Sequence, residues 1–246
     1  MTDHQKPSHS EQYLNSITQN RHWDSEQFRH TLVTLAALPP ETNIPSPNRP
    51  DSLHLQSLSG YFEELMSETL KDGRERSRAV IAELPEGSRI DPLKGKLLMG
   101  PRSVGTEGQV MVDMRLQPGK EGRQRVVADF HTHPITQGLA NGFSSQDFFS
   151  FLSTPGIKAT FIGYGEATRI LALKTSVTPQ RSADSIAAGL AALKKEIFSA
   201  DNLRRDSIPV LIAKFNKLVC VEFGLTLYFA DSKSRDLYTR VEVTKD

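Results

Sequence analysis

The chain has 246 residues, 37% of them hydrophobic and 24% charged, with a formal net charge of +1. That balance gives no electrostatic case for nucleic acid or an anionic membrane as the main partner. A single cysteine, Cys220 in the apolar run LVCVEF, excludes a disulfide framework and a cysteine-rich zinc site, and no stretch approaches the about 20 apolar residues of a membrane span.

Residues 1–50 differ in composition from the rest of the chain. The opening MTDHQKPSHSEQ is polar throughout, which predicts no secretory signal and a cytoplasmic location. Residues 1–22, rich in Ser, Gln, His and Asn, are expected to be poorly ordered. Residues 24–38, DSEQFRHTLVTLAAL, fit one short helix with Asp24 as its N-cap. PPETNIPSPNRP then reads as a linker or extended arm, because proline fixes φ and removes backbone donors. A compact domain is expected over 51–246, behind a polar, proline-rich N-terminal tail over 1–50.

Asp51 can cap a helix in which Leu55, Leu58, Phe62, Leu65 and Met66 recur at helical spacing, with Gly73 as its stop. The run 79–84, AVIAEL, is short and apolar. GKLLMG (95–100) and QVMVDMRL (109–116) read as strands between Gly and Pro turns. QRVVADFHTH (124–133) reads as the next strand, 144–153 as a helix, and 159–165 with 167–174 as a hairpin. Asp184 can cap an amphipathic helix that carries Ile186, Leu190, Leu193 and Ile197 on one stripe. Residues 209–223 look helical, opened by Pro209 and closed by Gly224. LTLYFA and LYTRVEV come last, as two strands around DSKSRD. Helices, strands and hairpins interleaved in this way predict an α/β fold, with a mixed sheet flanked by helices rather than a purely parallel one.

The chemistry concentrates in DFHTHPITQGLANGFSSQDFF, residues 129–149. Side chains alternate along a strand, so His131 and His133 project the same way at its end. Pro134 stops the ladder directly after them. Ser144 opens a helix and Asp147 lies one turn further on, so both can face one point. Two histidines and a carboxylate make a three-ligand zinc set with the fourth position open for catalysis. The plainer reading is an ordinary N-cap at Ser144 and an aspartate favoured by the helix dipole. The other five histidines, His4, His9, His22, His30 and His54, all precede the pair and none comes after it. That excludes the metallo-β-lactamase pattern H-x-H-x-D-H, whose last two positions hold Ile135 and Thr136 here. Amidohydrolase barrels and cupins need later histidines, and the barrels need about 250 residues.

The set His131-Thr132-His133-Pro134 followed by Ser144-Ser145-Gln146-Asp147 resembles the JAMM (MPN+) metalloprotease family. The resemblance covers 51–243, although only 131–147 is specific. It implies a three-layer fold like that of cytidine deaminases, with Zn2+ held by His131, His133 and Asp147. It also implies that Ser144 donates a hydrogen bond to the developing oxyanion. A glutamate upstream of the histidines would take a proton from the attacking water and pass it to the leaving amine. Glu75, in GRERSRAVIAEL, is the first choice for that base, Glu83 the second and Glu86 the third. Asp129 shares the histidine face of a regular strand and is a candidate acceptor that would orient an imidazole from behind the metal. The loop PITQGLANGF, between His133 and Ser144, departs from the family by about three extra residues, which its glycines and Asn-Gly pair can absorb. Ser145 offers no alternative register, because Phe148 stands where its aspartate would be. The implied activity is hydrolysis of a peptide or isopeptide bond in a protein or peptide substrate, including a ubiquitin-like conjugate. A catalytically inactive scaffold or binding module of the same fold is the alternative.

Overall fold

A computed structural model describes residues 12, 14, 20–46, 49–86, 91, 94–135, 142–166 and 168–242. The expectation of poor order over 1–22 falls largely outside them, as does much of the loop after Pro134. The described elements run β1 (His22–Asp24), α1 (Ser25–Ala36), β2 (Ser52–His54), α2 (Gln56–Asp72), β3 (Arg76–Glu83), β4 (Lys96–Val104) and β5 (Gln124–His133). Next come α3 (Ser145–Ser153), β6 (Ala159–Tyr164), β7 (Thr168–Lys174), α4 (Ala183–Ile197), α5 (Ala200–Arg205), α6 (Ile208–Glu222), β8 (Leu225–Ala230) and β9 (Leu237–Arg240).

The strands form one mixed sheet in the order β1-β2-β9-β8-β7-β6-β5-β3-β4. The expected α/β class and mixed sheet are therefore present. Two pairs are parallel, β1 with β2 and β5 with β6. The α3 helix makes the β5–β6 crossover. Alternation along the strands divides the apolar residues between two cores. Phe161, Leu171, Leu173 and Tyr228 join the α1 and α2 side chains Phe28, Leu32, Phe62 and Leu65. Ile162, Ile170, Ala172 and Leu227 join Phe148, Leu190, Leu211 and Phe215 from the other helices. No helix among the described residues is long and apolar enough to cross a membrane.

Several expectations hold in detail. Asp24 caps α1 through a capping box with Gln27, and Gly73 ends α2 in the left-handed region at φ 70°. The hairpin of β6 and β7 pairs Ala159 with Leu173.

Others need correction. Asp51 does not cap a helix. It precedes β2, which pairs with β1 and β9, and its carboxylate meets Arg240 Nη1 at 2.7 Å. The α2 helix starts at Gln56 without a side-chain cap of its own, and Ser25 Oγ of α1 accepts the Ser57 N–H instead. Trp23, Phe28, Leu32 and Leu35 are buried in the same core as Phe62 and Phe130. The cap of α4 is Ser182, not Asp184. The segment 109–116 is not a strand. Both edges of β3 are taken, by β4 and β5, and the segment runs along a cleft instead.

Candidate metal centre and cleft

The β5 strand carries His131 and His133 on one face, at its C-terminal end. The β3 strand runs antiparallel beside it, with Ser77 opposite His131. Two residues back along β3, the same register brings Glu75 opposite His133 and onto the same face. The backbone of Glu75 is pinned just ahead of the strand: its N–H donates to Thr106 O at 2.7 Å and its C=O accepts from Gly105 N at 2.9 Å. Thr132, between the histidines, points to the opposite face, where its hydroxyl meets Thr69 Oγ1 at 2.6 Å.

The α3 helix brings the third residue. Ser144 and Asp147 form a reciprocal capping box: Ser144 N–H donates to Asp147 Oδ2 at 2.6 Å, and Asp147 N–H donates to Ser144 Oγ at 3.2 Å. The Ser144 hydroxyl keeps its proton for another acceptor. Asp147 Oδ1 lies 3.2 Å from His131 Nε2, and Oδ2 lies 3.6 Å from His133 Nε2. One donor atom from each of His131, His133 and Asp147 lies within 4.8 Å of the others, so the group can hold a metal ion. The chemistry of the set fits one: two imidazole nitrogens and a carboxylate oxygen converge, and buried His131 Nε2 has no hydrogen-bond partner among the described residues.

The glutamates separate cleanly. Glu75 is only 7% exposed, lines the cleft, and has its Oε1 3.9 Å from His133 Nε2. Glu83 sits at the other end of β3, roughly 26 Å away at about 3.3 Å per residue, tied to Lys120 and Gln124. Glu86 is exposed and pairs with Arg123. Asp129 also lines the cleft, with its Oδ1 accepting from Thr160 Oγ1 at 2.6 Å. His131 Nδ1 lies 3.9 Å from that oxygen, beyond hydrogen-bond range.

The electrostatics arise from burial and proximity. Burial pushes the Glu75 carboxyl up to about 7, helped by Asp147 and opposed by His131. Burial and the neighbouring His131 push His133 down to about 4. Burial opposes the charge on His131 and on Asp147, yet their mutual attraction wins, raising the imidazole and holding the carboxyl well below its usual range. A bound cation would take the place of the proton on His131, so metal and protons compete for the site.

Two contributions are not visible in the sequence. The first is the segment 108–114, most of which lines the cleft and which is held by Ser77 Oγ donating to Met111 O at 3.3 Å. The second is Asn216 of α6, 3% exposed. Its Oδ1 accepts from Phe143 N–H at 2.8 Å, and its Nδ2 donates to Phe143 O at 2.9 Å and Ile212 O at 3.1 Å. This clasp fixes the residue before Ser144, and hence the start of α3. Gly142 is needed there, since a Cβ would lie 2.7 Å from Asn216 Oδ1. An asparagine beside the apolar stripe of Leu211, Phe215 and Val219 is the one hint of it.

No protein family, curated protein or solved structure matches the chain.

Proposed function

We propose that the protein is a zinc-dependent hydrolase of peptide or isopeptide bonds, of the JAMM type. One observation carries the reading. A buried glutamate that pairs with no lysine or arginine among the described residues shares a cleft with a converging His-His-Asp set. Helices packed against both faces of the sheet are in keeping with a three-layer JAMM fold.

His131, His133 and Asp147 would hold the ion. When bound, zinc makes a water more acidic and polarises a carbonyl. Glu75 takes a proton from the attacking water and hands it to the leaving amine. Ser144, whose Oγ accepts from Asp147 N–H, turns its own proton toward the developing oxyanion. The cleft, about 570 Å³, has room for an extended segment of a protein or peptide substrate, such as the tail of a ubiquitin-like conjugate.

The test is metal content with activity. Purified full-length protein should carry about one zinc per chain, and Asp147→Ala should lose it while keeping its circular dichroism spectrum. A panel of peptides and isopeptide-linked conjugates should be cleaved by the wild type and not by Glu75→Gln. A folded protein that binds no zinc sinks the proposal. One that binds zinc and cleaves nothing in the panel is a scaffold.

A further inference from the structure

The seam between β3 and β5 changes character where it reaches the metal centre. The two strands pair residue against residue from Glu83–Gln124 to Ser77–His131, and Ser77–His131 is the last step of that pairing. One residue nearer the cleft, the Arg76 N–H donates to a side chain, Thr132 Oγ1, at 3.0 Å. Glu75 comes next. Its N–H and C=O bond to Thr106 and Gly105, which follow β4, at 2.7 and 2.9 Å. Glu75 and His133 face each other across the end of the seam, with Oε1 3.9 Å from Nε2.

Thr132 and Thr69 are both buried. Their hydroxyls meet at 2.6 Å, and Thr132 Oγ1 also lies 3.4 Å from Arg76 O. The Arg76 side chain runs to the same helix as Thr69, to Glu68 at 2.9 Å and Asp72 at 2.7 Å. Glu75 is therefore gripped on two sides. Its own peptide groups are held from the β4 side, and the residue after it is held by Thr132 and α2. A hydroxyl can take part in this and a hydrocarbon of the same shape cannot. Oγ1 accepts the Arg76 N–H and still has a proton to give. Valine in its place would leave the Arg76 N–H and the Thr69 hydroxyl without that partner in a buried setting.

We propose that Thr132 is a positioning residue for Glu75. Its hydroxyl stands on the face of β5 opposite the imidazoles and holds the start of β3, so that Glu75 keeps its place beside His131 and His133. The residue between the two histidines thus serves the base rather than the metal. Proton transfer depends steeply on such placement, since a shift of about 1 Å can cost about 10²-fold in rate. The inference rests on the hydrolase reading above for what Glu75 does, and on the hydrogen bonds alone for where Glu75 stands.

The experiment compares full-length wild type, Thr132→Val, Thr132→Ser and Leu65→Ala, the last a substitution in the core on α2. One readout needs neither metal nor substrate: NMR cross-relaxation between the Glu75 side chain and the His133 ring. It should be present in the wild type and in Thr132→Ser, and weakened in Thr132→Val. The other is kinetic, on zinc-loaded protein with a cleavable peptide or isopeptide. Thr132→Val should lower kcat by about 10²-fold, with KM and zinc content unchanged. Thr132→Ser should recover most of that loss. The acid limb of kcat/KM against pH should move in Thr132→Val and stay in place in Leu65→Ala, although Leu65→Ala lowers the melting temperature. Cross-relaxation that is absent from the wild type, or equal in it and Thr132→Val, overturns the proposal. So does a fall in kcat that Leu65→Ala shares. Loss of zinc in Thr132→Val with the Glu75–His133 contact intact also overturns it and assigns Thr132 to the histidines. If Thr132→Val does not fold, Thr69→Val is read in the same two ways, with the same signs expected. Failure of the hydrolase reading is separate: the wild type then cleaves nothing, and the cross-relaxation still decides whether Thr132 places Glu75.

Discussion

The two ends of β3 carry the same side chain in opposite circumstances. At one end Glu83 meets Lys120, Arg123 and Gln124, which hold its carboxyl below its ordinary value, the Gln124 hydrogen bond most of all. At the other, Glu75 is buried against two histidines and Asp147, and burial raises it to about 7. Glu83 is satisfied by its neighbours and has nothing left to do. Glu75 has no lysine or arginine partner among the described residues, which is in keeping with the base role proposed for it.

Mutation of the two should break this symmetry. Glu75→Gln should lower kcat by about 10²–10⁴-fold with zinc retained, whereas Glu83→Gln should leave kcat within about twofold. Comparable losses in both, measured on one substrate under saturating conditions, would remove Glu75 from its role. Next in size, Ser144→Ala should cost about 10²–10³-fold in kcat if its hydroxyl meets the oxyanion. Ser144→Thr keeps the hydroxyl and the cap and should recover part of that loss. A cap role alone predicts a fall in melting temperature with kcat unchanged.

Asn216 extends the comparison to a residue that never reaches the cleft. Asn216→Leu leaves the Phe143 N–H and C=O unpaired, a cost of about 1–3 kcal/mol for each buried group. It should also blur the placement of Ser144 and Asp147. The cobalt-substituted protein should then show an altered visible spectrum. Leu211→Ala, on the same helix, should lower stability with that spectrum unchanged. Identical spectra in wild type and Asn216→Leu would confine Asn216 to packing.

How much of the fold and site is legible in the sequence depends on which contacts are local. The strand period groups His131 with His133, and the helix turn groups Ser144 with Asp147. Both groupings need only neighbours in sequence, and both appear in the structure. The base is different. The sequence ranks Glu75 ahead of Glu83 and Glu86, and the register of β3 against β5 is what places Glu75 by the histidines. The segment 109–116 reads as a strand between turns, yet it pairs with no strand and lines the cleft. The helix within 24–38 is legible from its own spacing and cap, but its burial depends on partners as distant as Phe161 and Tyr238. Those partners are not visible from the segment's own residues.

The smallest expected effect comes from a second contrast, between the buried carboxylates of the cleft and two buried lysines outside it. Lys158 gives its ammonium to Pro40 O, to Asn43 Oδ1 at 3.2 Å and to Pro155 O at 2.8 Å, tying the proline-rich segment to the turn before β6. Burial lowers Lys158 to about 8 and Lys174 to about 7, from 10.5. Between those values and 10.5 the unfolded chain binds more protons than the folded one. Stability contributed by these groups therefore rises with pH across that window. Burial pushes Cys220, Tyr228 and Tyr238 up, and these work in the opposite sense once the unfolded thiol begins to ionise, above about pH 8.5. The raised His131 imidazole also works in the opposite sense above about pH 6.5, so the slope of melting temperature against pH is a difference of opposing contributions. Lys174→Met removes the more strongly shifted amine while filling its place, and should make that slope less positive between about pH 7 and 8.5. A slope unchanged in Lys174→Met would mean that Lys174 folds in its charged form, held by Thr154 O and the Phe151 ring.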